Sequence, residues 1–86
     1  MFGVKIVNYK DKNRFIQIGL KISYYRKLSG LSQEELAERI GRSTGYIGQI
    51  EAPKIIRPLS LQTLFYIADE LNISPYKFLE FDDINL

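Results

Sequence analysis

The sequence predicts an all-α domain of five short helices behind a short N-terminal arm. Three observations carry this expectation. From about Asn13 the apolar residues recur at helical rather than alternating spacing. Serines suited to N-capping stand just ahead of these runs, at Ser32, Ser43, Ser60 and Ser74. Gly30, Gly41, Pro53 and Pro58 punctuate the chain between them.

Residues 1–12 read as a separate arm. Phe2, Val4 and Ile6 alternate with Gly3, Lys5 and Val7 before a polar stretch, which leaves open a mobile arm, an extended segment packed on the domain, or a strand pairing between subunits. In the first helix, from about Asn13, Ile18, Ile22 and Tyr25 share a face with Phe15 and Leu28 close to it, while Lys21, Arg26 and Lys27 fall away from its centre. Gly30 ends that helix. Ser32 and Glu35 form a capping box, in which each side chain satisfies the other residue's free backbone N–H, and the second helix buries Leu36, Ala37 and Ile40 before Gly41 stops it. Ser43 caps a third helix, Thr44–Glu51, with Ile47 and Ile50 facing inward. Ser60 caps a fourth, about Leu61–Leu71, in which Leu61, Leu64, Phe65, Ala68 and Leu71 keep the spacing of one face. Ser74-Pro75 opens a fifth helix running to about Phe81.

Composition narrows the function. Eighty-six residues are expected to make a single domain, 13–86, behind the arm. The longest apolar run is the five residues Leu64–Ala68, against roughly 20 for a membrane-spanning helix and about 7–15 for the core of a signal peptide, so neither is expected. The absence of cysteine fits a reducing cytoplasm. Without histidine or cysteine, the usual zinc sites and Ser-His or Cys-His nucleophile pairs cannot be built, so no metal, cofactor, small-molecule ligand or enzymatic activity is expected. Charge is unevenly spread: residues 1–57 hold eleven Lys/Arg against five acids, a balance of +6, and residues 58–86 hold Lys77 against five acids, a balance of −4. Such a basic front and acidic back would orient the molecule on a polyanion.

Gln33–Ala52 reads as one unit. Two short helices are joined by the turn Gly41-Arg42-Ser43, and the small Ala37 lets the second helix cross the first closely. Leu36, Ile40, Ile47 and Ile50 supply the apolar contacts, and Gly41 a backbone conformation that a Cβ disfavours. That combination matches a DNA-binding helix-turn-helix, whose second helix enters the major groove.

The run Ile18-Gly19, then Leu31-Ser-Gln-Glu-Glu-Leu-Ala37, Gly41, Ser43, Ile47 and Ile50-Glu51, followed by Leu61, Thr63-Leu64, Ile67-Ala68 and Leu71, resembles the lambda-repressor-like (Cro/CI, or Xre) family over about Ile16–Leu79. The resemblance implies a five-helix operator-binding domain acting as a symmetric dimer on a palindromic site. It also implies site residues. Gln33 stands where family members place a phosphate-touching glutamine. Ser43, Thr44, Gly45 and Gln49 match recognition-helix positions facing the DNA. Thr44, Gly45 and Gln49 are taken as base-contacting, Gln49 through adenine N6 and N7, and Ser43 as a phosphate contact. Arg26 and Glu51 match positions that pair the first helix with the end of the recognition helix, a structural role.

The sequence also departs from the family pattern. Arg42 stands in the turn where an apolar residue is usual, and can reach a phosphate. Gly45 and Gly48 interrupt the recognition helix, each costing roughly 1 kcal/mol relative to Ala. Pro53 replaces the usual glycine after that helix, so the loop through Lys54 and Arg57 should take a different path while keeping both cations available for phosphates. Tyr46 is open between a backbone contact and partial core packing. The expectation is thus a repressor or activator binding double-stranded DNA as a cytoplasmic homodimer, with Tyr76, Phe78, Phe81, Ile84 and Leu86 as candidates for the dimer surface. The alternative from another class is an antitoxin-like or anti-regulator module that uses the same fold to hold a protein partner.

Overall fold

The computed structural model describes residues 9–82 and contains, among them, four α-helices, one 3₁₀ helix and no strand. The helices are α1 (Tyr9–Leu28), α2 (Gln33–Ile40), α3 (Thr44–Glu51) and α4 (Leu61–Leu71), followed by the 3₁₀ helix Pro75–Leu79. Their limits follow local chemistry. Ser32, Ser43 and Ser60 each accept a hydrogen bond from the backbone N–H three residues on, which satisfies a donor that the first turn leaves free. Gly30, Gly41 and Asn72 end α1, α2 and α4 with positive φ (75°, 71° and 56°). At α2 the Arg42 N–H then returns to the Ala37 carbonyl at 2.8 Å, and at α4 Ile73 returns to Ala68 at 3.0 Å. α3 ends differently: Ala52 is extended (φ −69°, ψ 127°), the region into which a following proline forces its predecessor.

Helix α3 packs against α1 and α2, α4 against α2, and the 3₁₀ helix closes on α1 and α4. The shared core consists of Ile18, Ile22, Leu36, Ala37, Ile47, Ile50, Leu64, Ile67, Ala68, Leu71 and Phe78. Fully burying each of the larger aliphatic or aromatic side chains contributes about 1.5–3 kcal/mol.

Four features differ from the sequence expectations. α1 begins at Tyr9, inside the segment assigned to the arm, because residues 9–12 carry no apolar pattern by which to recognise a helix, although Asp11 suits its first turn. Residues 1–8, and with them the alternating segment of the arm, lie outside the described residues. The fifth element is a 3₁₀ helix rather than an α-helix. Ser74 makes no side-chain cap, and the short turn instead carries an i→i+3 bond from Lys77 to Ser74. That turn drives Phe78 into the core, where it meets Tyr25 edge-on at 5.8 Å, so Phe78 is not available to a dimer surface. Finally, Leu28, Leu61 and Phe65 are exposed (66%, 61% and 46%). The spacing along α4 fits two neighbouring stripes, and the fold buries the one through Leu64, Ile67, Ala68 and Leu71. No helix among the described residues is long and apolar enough to cross a membrane.

Candidate nucleic-acid interface

The interface candidate is built around α3. Ile47 and Ile50 anchor its inner face, which leaves Thr44, Gly45 and Gln49 exposed on the outer one. Its far end is held against α1 by Gly19, where a Cβ would fall inside the carbonyl oxygen of Ile50. The backbones of α1 and α3 therefore touch at a point that only glycine permits. The amphipathic reading of α1 did not single out this role; a glycine between the buried Ile18 and Ile22 was the available signal.

The same end carries a buried ion pair. Arg26 donates from Nε to Glu51 Oε2 at 2.7 Å and from Nη2 to Oε1 at 2.8 Å, and its Nη1 reaches the Leu31 carbonyl at 2.7 Å. Both side chains are almost wholly excluded from solvent (8% and 4% exposed). The hydrogen bond to Glu51 raises the Arg26 pKa above the ordinary arginine value, so the guanidinium stays charged wherever the protein is folded. Arg26 thus faces inward, although the helical periodicity set it away from the centre of the buried face.

Gln33, assigned to a phosphate, completes this network: its Nε2 donates to Glu51 Oε1 at 3.0 Å. A Cβ at Gly48 would lie 3.7 Å from Gln33 Oε1, an ordinary contact. The amide thereby ties the start of α2 to the end of α3, with one of its two N–H groups engaged. The capping box stands beside it. Ser32 N–H donates to Glu35 Oε1 at 2.8 Å, and Glu35 N–H to Ser32 Oγ at 3.0 Å. The backbone donor of Ser32, then its hydroxyl, hold the Glu35 carboxyl below its usual pKa.

At the other end of α3, Ser43 Oγ accepts from the Tyr46 N–H at 3.1 Å, so its oxygen serves first as the helix cap. Arg42 donates from Nη2 to Thr63 Oγ1 at 3.2 Å, tying the turn to the start of α4. The guanidinium carbon of Arg42 lies 4.5 Å from the centre of the Tyr46 ring, and that of Arg57 lies 4.9 Å from it. Lys54 is exposed in the intervening loop. Thr44, Gly45, Gln49, Arg42, Tyr46, Lys54 and Arg57 thus gather around α3, whereas the remaining dimer candidates divide. Tyr76 is exposed, and Phe81 packs on its own α1, with Lys21 Nζ at 5.4 Å and Arg14 Cζ at 5.7 Å from its ring centre. Ile84 and Leu86 lie outside the described residues.

Comparison with known proteins identifies the family of the fold. Residues 22–78 match the helix-turn-helix family. Control protein C.SmaI of Serratia marcescens is 44% identical over 55 residues, a match spanning 64% of this chain and 63% of that relative, so the alignment covers less than two thirds of its length. The restriction-modification controller protein C.AhdI of Aeromonas hydrophila superposes with a TM-score of 0.67 at 31% identity, covering 74% of this chain and 94% of that one. SinR, the biofilm master regulator of Bacillus subtilis, superposes in its complex with DNA with a TM-score of 0.66 at 36% identity, covering 73% of this chain and 98% of that one. SinR is also known in complex with SinI. With the matched segment running from Ile22 to Phe78, the chain belongs to the lambda-repressor-like, Xre-type helix-turn-helix family.

Proposed function

We propose that this protein is a small cytoplasmic transcriptional regulator that binds double-stranded DNA sequence-specifically, without catalytic chemistry. The observation that carries the reading is the outer face of α3: Thr44, Gly45 and Gln49 stand free of the core, flanked by Arg42, Lys54 and Arg57. Placed in the major groove, Gln49 and Thr44 read bases while Gln33, Ser43 and the flanking cations hold phosphates. The relationship to SinR, solved with DNA, supports this arrangement. The protein acts as a homodimer on a palindromic operator. Leu61 and Phe65, exposed one turn apart on α4, join Tyr76 as apolar surface for the second subunit.

Selection of bound sites from random duplex DNA tests the reading. The expected product is a palindrome with half-sites about one helical turn apart, and recovery of no enriched sequence would sink it. On the selected site Gln49→Ala should cost about 1–3 kcal/mol, with little loss on random DNA. Equal losses on both would remove Gln49 from sequence reading. A protein partner in addition to DNA is the second reading, favoured by the complex of the related SinR with SinI.

A further inference from the structure

We infer that Tyr46 is a positioning residue: its ring gathers Arg42 from the turn and Arg57 from the loop into one two-guanidinium clamp for the DNA sugar–phosphate backbone, and its hydroxyl does not contact DNA. This rests on the DNA-binding reading above and assigns the part that Tyr46 takes in it.

Both guanidinium carbons lie well inside the roughly 6 Å at which a cation is attracted to an aromatic face. The two carbons can be no farther apart than their distances to the ring centre taken together, 4.5 and 4.9 Å. That is comparable to the Debye length of about 8 Å at physiological salt, so their mutual repulsion is only partly screened. The ion pairs among the described residues, Arg14–Asp11 and Arg26–Glu51, include neither arginine. Two cations are thus held on one ring with neither in a salt bridge, although Arg42 borders a recess that Glu34, Glu35 and Glu38 also line, and an anion at the ring would relieve their repulsion. Arg42 is also oriented at a second point. Its Nη2 bonds Thr63 Oγ1 at 3.2 Å, and the buried Thr63 is itself fixed by Ser60, whose hydroxyl donates to the same oxygen at 3.1 Å. The ring belongs to the first turn of α3, with the Tyr46 N–H on Ser43 Oγ, so the clamp sits at the end of the helix beside Thr44 and Gly45. The anion that arrives together with a base at Thr44 is a backbone phosphate, and a guanidinium matches its geometry as a fork.

Fluorescence anisotropy on a random-sequence duplex across a salt series tests this with the full chain, Y46F, Y46L, R42Q/R57Q and the triple variant. Each phosphate neutralised contributes about 0.9 to the slope of log K against log salt. Y46F should match the parent within about twofold in Kd and in slope, since the ring face is kept. Y46L should flatten the slope by more than one phosphate's share, approaching R42Q/R57Q, and should add nothing in the R42Q/R57Q background. Equal losses in Y46F and Y46L, an unchanged slope in Y46L, or a further loss in the triple variant would each overturn the inference. Inorganic phosphate at matched ionic strength should displace DNA no better than chloride; stronger competition would mean a free-phosphate site instead. If Y46L does not fold, NMR of the unaltered protein decides. The Arg42 and Arg57 δ-protons should be ring-current shifted in the parent and in Y46F, and unshifted signals would refute the clamp. Absence of any salt-dependent binding by the parent would instead defeat the DNA-binding reading, even with the ring-current shifts present.

Discussion

The buried pair between α1 and α3 permits the sharpest stability prediction. Glu51→Ala removes the acceptor for two Arg26 bonds of 2.7 and 2.8 Å and for the Gln33 amide at 3.0 Å. It leaves the guanidinium inside with only the Leu31 carbonyl, 2.7 Å away, as partner. Removing one member of a buried ion pair costs about 3–5 kcal/mol, because the other charge remains desolvated and uncompensated. A chain of this size has a total stability of roughly 4–13 kcal/mol, so the variant should lose between about a quarter of it and all of it. For a domain of this size each 1 kcal/mol moves Tm by about 4–8 °C, which predicts a fall of at least about 12 °C. Replacing both residues by apolar ones, Arg26→Met with Glu51→Leu, removes the stranded charge as well. The double variant should be more stable than Glu51→Ala alone, with a coupling energy above about 1 kcal/mol in the double-mutant cycle through the single variants Arg26→Met and Glu51→Leu. Urea and thermal denaturation followed by circular dichroism measure the free energies and the fall in Tm. A Glu51→Ala loss under about 1 kcal/mol, or strictly additive losses, would show that the pair does not hold α1 to α3.

Two further perturbations read the same framework. Gly19→Ala places a Cβ against the Ile50 carbonyl and should cost about 1–3 kcal/mol in thermal melts, as overpacking does, although alanine favours a helix; a stabilised variant would contradict the close α1–α3 contact. The Glu35 carboxyl is held below its ordinary value by Ser32, so its contribution is complete above the unfolded-state glutamate pKa of about 4.3 and fades as pH falls through the lower folded value. Glu35→Gln, which can still cap, should lose that acid-range dependence, and an unchanged pH profile of unfolding would detach it from Glu35.

What the sequence disclosed follows from the range of the interactions involved. α2, α3 and α4 are delimited by a serine cap at the start, with Gly41 and Pro53 past the ends of α2 and α3, and those signals act within a few residues, so their limits read directly. The start of α1 does not, because residues 9–12 carry no apolar pattern, and the character of the last element does not, because it depends on distant packing. Gln17 exchanges hydrogen bonds with the Asp82 backbone at 3.0 and 3.3 Å, and Phe78 is placed by Tyr25. At the interface, the inward Ile47 and Ile50 of α3 were legible from helical phase, and its outer residues followed from the family resemblance. The engagement of Gln33 with Glu51, the arrival of Arg57 on the ring that Arg42 meets from four residues away, and the contact at Gly19 each bring in a residue from beyond one helical turn, and no local pattern encodes them.

The two glycines of α3 bring these strands together in one experiment. Neither needs a positive φ, and a Cβ would meet nothing closer than Ser43 Oγ at 4.0 Å from Gly45 and Gln33 Oε1 at 3.7 Å from Gly48. The free fold therefore gives no reason for glycine at either position, while each weakens the helix by up to about 1 kcal/mol relative to alanine. Gly45→Ala and Gly48→Ala should both raise Tm, by about 4–8 °C per kcal/mol gained. Their effects on DNA should separate. Gly48 stands beside Gln33, behind the outer face, and its alanine should leave affinity for the selected site unchanged. Gly45 is exposed next to Thr44 at the end of the helix that carries the arginine clamp, and there an added methyl should hold the backbone off the DNA and weaken binding by tenfold or more. Calorimetric melting paired with anisotropy on the selected duplex measures both halves. A Gly45→Ala variant that is more stable and binds undiminished would show that the first turn of α3 does not come close to the DNA. Base reading by Thr44, its neighbour in that turn, would fall with it, leaving Gln49 as the single reader on the helix.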